Sequence, residues 1–246
     1  FSGTSLQNAG NYNAPVAICK AAVLYVFRTL VADEIPLNEG CLKPLKLILP
    51  KHSMINPVYP AAVIAGNTEV SQAITNALYG ALGVLAASQG TMNNFIYGTE
   101  VFQNYETICG GTGAGPDHHG TSAVQSHMTN TRMTDPEVLE LRYPVRVEEF
   151  RIRRGSGGDG LFHGGDGVVR QIHFLERRTL TTLASHRKVA PFGLNGGQAA
   201  KCGDDFVIRA DGSITHLDGN DETIVNPGDV SVMKTPGGGG FGVGKN

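Results

Sequence analysis

The residues able to do chemistry crowd into one stretch, Tyr105 to Arg132. Asp117, His118 and His119 follow a glycine run there, His127, Asn130 and Arg132 come after, and Glu106 precedes it. No other window of the chain joins three histidines with a carboxylate and an arginine. Carboxylate and imidazole pairs exchange protons near neutral pH and also ligate divalent metals. Their spacing matches no named metal motif, so metal binding, contact with a polar substrate or interface, and a plain loop all stay open. No metal ligand is assigned. Asp117, His118, His119 and Glu106 are taken as the candidate catalytic residues, although a lone Glu is most often a solvated one.

The same stretch holds the candidate substrate-binding residues Gly110, Gly111, Gly113, His127, Asn130 and Arg132. Backbone N–H groups of Gly110 to Gly115 are suited to cradle an anion, and a tight structural turn is the other reading. No Lys follows as a Walker A loop requires, and the Rossmann glycine spacing fails, so no ATP site is expected in this run. Arg132 offers a fork for a carboxylate, with Asn130 beside it; a salt bridge to Asp135 or Glu137 is the competing use. Cys109 is either a nucleophile or, as is commoner, an inert buried thiol. The G-x-S-x-G elbow of α/β-hydrolases is absent from the sequence.

Elements must position these groups. A 246-residue chain, 41% hydrophobic and 17% charged, has the composition of a globular protein. Its net charge of -2 and lack of a basic run argue against nucleic acid as main partner. The most apolar segment, Ala14 to Ala32, is interrupted by Lys20 and Arg28, so it reads as a central buried helix and not a membrane span. Asn13 is its expected N-cap. Leu42 to Pro50 reads as a strand. Asn67 is expected to cap a second helix with Val70, Ala73, Ile74, Ala77, Leu78, Ala81 and Leu82 on its packed face. Phe95 to Phe102 is a further strand candidate. Thr134-Asp135-Pro136-Glu137 forms a capping box for a short helix.

From Val145 the pattern turns to strands. A phase slip at Glu148-Glu149 suggests a bulge, and Ala210-Asp211-Gly212-Ser213 a hairpin turn. Further strands are expected at 168–175, 179–184, 206–209, 214–217 and 230–233. The fold class is therefore α+β, with a helix-rich part over residues 1–144 and a Gly-rich, mainly antiparallel β part over 145–246. The four cysteines form no C-x-x-C pair, which fits reduced thiols in the cytoplasm. The chain opens on Phe1 without a Met, and a longer or cleaved polypeptide is expected.

Longer motifs carry a resemblance. N-A-P at 13–15, I-P-L-N-E-G-C-L at 35–42, S-Q-G-T-M-N-N at 88–94 and Y-E-T-I-C-G-G-T-G-A-G-P at 105–116 come in order. S-H-M-T-N-T-R-M-T-D-P-E at 126–137, R-R-G-S-G-G-D-G at 153–160 and T-P-G-G-G-G-F-G at 235–242 follow. Together they resemble the hydantoinase B/oxoprolinase family, and within it the C-terminal part of the ATP-dependent 5-oxoprolinases. His163 departs from the pattern, standing where Arg is expected before Gly-Gly-Asp-Gly, which weakens an anion-binding role for that turn.

The resemblance implies an activity: hydrolytic ring opening of 5-oxo-L-proline to L-glutamate, driven by ATP. A lactam resists water, and phosphorylation of its carbonyl oxygen makes it a better electrophile. In the family, ATP and magnesium are used by a separate hydantoinase A-type part or subunit, so this chain is implied to be inactive alone. A small cyclic amide is the implied substrate, and a homo- or hetero-oligomer the implied assembly. Hydantoin or N-methylhydantoin ring opening, and a non-catalytic assembly module, are the alternatives.

Overall fold

The computed structural model describes residues 1–129 and 131–244. Three α-helices and nine strands in two antiparallel sheets make an α+β fold among these residues. Helix α1 spans Val16–Thr29 and α2 spans Ser71–Leu82. They pack together around Cys19, Ala22, Ile55, Val70 and Ile74. α1 is not central: Ala17, Lys20 and Ala21 lie exposed on its outer face. Its cap is Pro15, because Asn13 is fully buried and donates from Nδ2 to the carbonyls of Asn8, Gly10 and Ala62. The Asn13 amide thus closes the entry loop instead.

Further expectations shift. The segment after a 3₁₀ turn at Glu39–Leu42 forms no strand, since no neighbouring chain pairs with it and Pro44 withholds a donor. α2 is entered through a π-turn at Gly66–Val70, and Asn67 sits within that turn without capping. On α2, Val70 and Ile74 are buried, but Ala73, Ala77, Ala81 and Leu82 are exposed. Gln72, Thr75 and Asn76 are buried in their place. Helix α3, Pro136–Arg142, is capped by Asp135 and not Thr134, its carboxylate accepting from the Glu137 and Val138 amides. All three helices fall within residues 1–144, yet long irregular runs separate them, so the helix-rich description holds only in part.

Strands β1 (Asn94–Gly98) and β2 (Gln103–Thr107) form a hairpin where one longer strand was expected. β3 (Val145–Ile152), β4 (Val168–Phe174), β5 (Arg178–Leu183), β6 (Asp204–Ile208), β7 (Ile214–Leu217), β8 (Asn220–Val225) and β9 (Val230–Lys234) follow. The sheets run β2-β1-β5-β8 and β3-β4-β9-β6-β7, so the first sheet pairs strands from either side of residue 144. The bulge between Val147 and Glu149 is present, and so is the hairpin turn joining β6 and β7. β8 escapes sequence reading because its outward residues are Asn220, Glu222 and Ile224, without an apolar run. One core serves both sheets: Phe95, Tyr97 and Leu180 face Ile172, Phe174 and Met233.

A third body has neither helix nor ladder. It is built from glycine-rich extended runs. The consecutive amides of Gly238, Gly239 and Gly240 donate to the carbonyls of Gly165, Ala87 and Gln198 at 2.9, 2.8 and 2.9 Å. Their own carbonyls accept from Gly158, Ala114 and Leu194, each at 2.9 Å. Successive residues thus point at different neighbours, as a chain with three residues per turn does. The runs lie so close that a Cβ on Gly164 would overlap the Gly238 carbonyl. Only glycine fits at such an axis, the same crowding that imposes it on the collagen triple helix.

Candidate functional site

The site stretch begins on β2, and Glu106 there points into the protein. Its carboxylate accepts from Arg170 of β4 at 3.0 Å and from the Thr134 amide at 3.3 Å, with both charged side chains 1% exposed. Glu106, expected among the catalytic residues, thus lies in the core and joins the two sheets through this ion pair.

The glycine run that follows is part of the lattice. Gly110 donates to Val124, Gly111 to Pro236, Thr112 to Thr121, Ala114 to Gly239 and Gly115 to His118. A Cβ on Gly111 would overlap the Gly165 carbonyl. Gly110, Gly111 and Gly113 therefore supply close packing, and five of the six amides expected to cradle an anion, those of Gly110, Gly111, Thr112, Ala114 and Gly115, already donate to protein carbonyls.

Beyond the lattice the chain emerges. Asp117, His118 and His119 are all exposed. His118 Nδ1 meets the Asp117 carboxylate at 2.8 Å, and this hydrogen bond holds the Asp117 carboxyl below its ordinary range. His119 Nδ1 accepts the His163 amide at 2.9 Å, and the two imidazoles stack with centroids 5.5 Å apart and 9° between planes. The stack carries the group to Asp159, 3.4 Å from His163 Nδ1. Asp159 and His163 line an open groove of about 550 Å³ with Gly160, Leu161, Gln198 and Val243. Sequence reasoning read His163 as a turn residue; its pairing with His119 across 44 positions is a tertiary fact. Among the described residues no group of three or more His, Cys, Asp or Glu is arranged to hold a metal ion.

The remaining candidates separate. His127 lies in the helical layer, its ring 5.8 Å from that of Tyr25 and 5.4 Å from that of Tyr79, with Nδ1 3.3 Å from the Tyr25 hydroxyl. Burial pushes its pKa down to about 4. Arg132 is exposed and forms neither expected bridge, to Asp135 or to Glu137, among the described residues. Asn130 lies outside the described residues. Cys109 is buried, and burial raises its thiol pKa, the inert form of the two readings.

A polar seam went unread. The π-turn and α2 bury Glu69, Gln72 and Asn76 against the run Ser88–Asn94. Asn76 Oδ1 accepts the Ser88 amide at 3.1 Å, and Glu69 Oε1 accepts from the Met92 amide at 3.1 Å and Asn94 Nδ2 at 2.9 Å. Arg187 braces the base of this run, with a two-point pair to Asp205 at 2.9 and 3.0 Å and a bond to Asn93 Oδ1 at 2.9 Å. A signal was available: Glu69, Gln72 and Asn76 recur at helical spacing, as a polar stripe would. The apolar stripe beside it drew the assignment.

Comparison with known proteins places these features in context. Residues 1–244 match the hydantoinase B/oxoprolinase family. The chain is 47% identical over 242 residues to a 5-oxoprolinase of Dictyostelium discoideum, covering 98% of this chain and 19% of that one. It is 48% identical to 5-oxoprolinase 1 of Arabidopsis thaliana, again covering 98% of this chain and 19% of that one. The chain thus spans about a fifth of the length of these relatives, 19% in each case. Its fold is shared by a nucleotide-free acetone carboxylase, with a TM-score of 0.85 at 20% identity over 98% of this chain and 39% of that chain. An ATP-dependent caprolactamase from Pseudomonas jessenii gives a TM-score of 0.81 at 20% identity, over 98% of this chain and 45% of that chain.

Proposed function

The chain belongs to the hydantoinase B/oxoprolinase family, and from that premise we propose that it acts as the C-terminal portion of an ATP-dependent 5-oxoprolinase. The reaction is hydrolytic opening of the 5-oxo-L-proline ring to L-glutamate, in the cytoplasm, together with a hydantoinase A-type part that uses ATP and magnesium. The observation carrying this reading is the 47% identity to a 5-oxoprolinase over 98% of the chain. ATP does not fit the glycine run of this chain, because five of its backbone amides already donate to protein carbonyls. Nucleotide binding is accordingly assigned to the other part.

In this reading the exposed Asp117–His118 pair and His119 move protons at an interface that the hydantoinase A-type part covers. Arg132 holds the substrate carboxylate, its guanidinium matching a carboxylate fork. The test is an assay of the full-length polypeptide containing this chain, and of this chain alone, with 5-oxoproline, ATP and magnesium. Glutamate and ADP should form together with the full-length protein and not with this chain. Ring opening by this chain alone without ATP, or no glutamate from the full-length protein, overturns the proposal.

A further inference from the structure

The run 42–50 reads as a strand in sequence, yet it joins neither sheet. Its burial still has a strand's period of two. Leu45, Leu47 and Leu49 are half-buried, while Lys46 and Ile48 between them are exposed, Ile48 to 69%. Leu49 packs against the core of the helical layer. Leu45 and Leu47 line a hollow of about 480 Å³ with Leu42, Lys20, Glu39 and Lys43. Pro44 and Pro50 bound the run at five residues, an ordinary strand length.

What the run lacks is a partner. Among the described residues, the amides of 46–49 donate to no backbone carbonyl, and the carbonyls of 45–49 accept from no backbone amide. These are the main-chain groups that a neighbouring strand pairs. The surroundings are equally open. Helix α1, in the most apolar segment of the chain, leaves Ala17 and Ala21 exposed on a second hollow of about 230 Å³ that Leu42 shares. Leu37 is 69% exposed. Apolar surface beside unpaired backbone marks an interaction face. The charges on the run are of one sign. Lys43, Lys46 and Lys51 are exposed and form no ion pair among the described residues, whereas Lys20 is held by Glu39 at 3.0 Å. A chain that docks here with matching charge brings carboxylates.

We propose that residues 45–49 are one strand of a sheet completed by a strand of the same polypeptide from outside this chain, apolar beside Ile48 and carrying Asp or Glu beside Lys46. That the occupant belongs to the same polypeptide rests on the function proposed above. Length supports it: the chain spans 19% of the 5-oxoprolinases it matches, and 39% and 45% of the two solved chains that share its fold. In a polypeptide of that size most of the residues lie outside this chain. Docking there covers the apolar face of α1 and pairs the free amides in one step, the usual way a strand adds to an open edge.

The test is hydrogen–deuterium exchange on the full-length polypeptide, with a cryo-electron microscopy structure to identify the neighbour. Along a strand, amides face alternate edges. One added strand should therefore slow either Lys46 and Ile48 or Leu47 and Leu49 by at least about 10²-fold relative to open chain. Lys46→Glu sets like charges together and should speed that exchange by about threefold or more, while exchange in β9 stays as in the parent. Open-chain exchange at all four amides overturns the proposal, and so does a run paired with a second copy or covered without backbone pairing. Unchanged exchange in Lys46→Glu overturns the acidic partner. None of these readouts needs turnover. Ring opening of 5-oxoproline by a full-length protein whose run is unpaired defeats the strand and leaves the function standing. A paired run in a protein without that activity does the reverse.

Discussion

Glu106 and Arg170 meet at 3.0 Å between two sheets, and neither side chain is more than 1% exposed. The pair links β2 to β4 through the middle of the shared core. Removing one partner leaves the other charge buried, which costs roughly 3–5 kcal/mol, whereas replacing both by apolar residues is often neutral. We expect Glu106→Ala to lower unfolding free energy by about that amount, and Glu106→Leu with Arg170→Met to recover most of it. Urea titrations of the three proteins measure this. A Glu106→Ala protein as stable as the parent and devoid of turnover would refute the structural role and assign Glu106 to catalysis.

The glycine lattice gives a sharper contrast. A Cβ on Gly164 would overlap the Gly238 carbonyl, while a Cβ on Gly155, at φ +70°, meets nothing within 4 Å. Gly155→Ala should therefore cost only the left-handed backbone term, about 1–2 kcal/mol. Gly164→Ala has backbone on the far side that cannot yield, and we expect more than about 4 kcal/mol or no folded protein. Equal melting temperatures for the two variants would refute the packing role.

His127 sets a pH dependence. Its folded pKa of about 4 lies below the ordinary 6.5, so between those values the unfolded chain takes up a proton that the folded one refuses. Stability is full above about pH 6.5, falls as pH drops toward about 4, and then levels, losing at most about 3 kcal/mol through this group. His127→Asn tolerates the left-handed backbone found there, φ +61°, and should flatten the slope between pH 7 and 5. Unfolding titrations at both pH values decide it; an unchanged slope removes His127 as the cause.

His118 is exposed and carries little packing, so His118→Ala should leave the melting temperature within about 1–2 °C, a change of about 0.5 kcal/mol or less. In the full-length protein we expect turnover to fall by about 10²- to 10⁴-fold, the range of a lost general acid or base. Turnover within a factor of about two of the parent would discard the proton-transfer role.

Arg132 is tested by the balance of KM and kcat. Loss of a charged hydrogen bond of roughly 1.5–3 kcal/mol corresponds to a KM for 5-oxoproline raised by about one to two decades in Arg132→Ala, with a smaller effect on kcat. Arg132→Lys should recover only part, since an ammonium cannot make the fork contact. An unaltered KM would sink the assignment.

Much of the fold was legible because it rests on local periodicity. Strands such as Ile214–Leu217, the bulge at Glu148-Glu149 and the turn at Asp211-Gly212 follow from alternation and turn chemistry within a few residues. Family membership was equally legible, in motifs that survive as text. What composition could not reveal is which partner satisfies each polar group. Glu106 reads like any other glutamate until Arg170, 64 positions away, neutralises it in the core. The run from Gly110 to Gly115 has the look of an anion loop until carbonyls from five other places take up five of its six amides. His163 joins His119, and Glu69 faces Met92, only once distant runs are brought together. Backbone preference is a property of neighbours in sequence, whereas desolvation and hydrogen-bond satisfaction belong to neighbours in space. The first was set by the chain alone, and the second was decided by its tertiary packing.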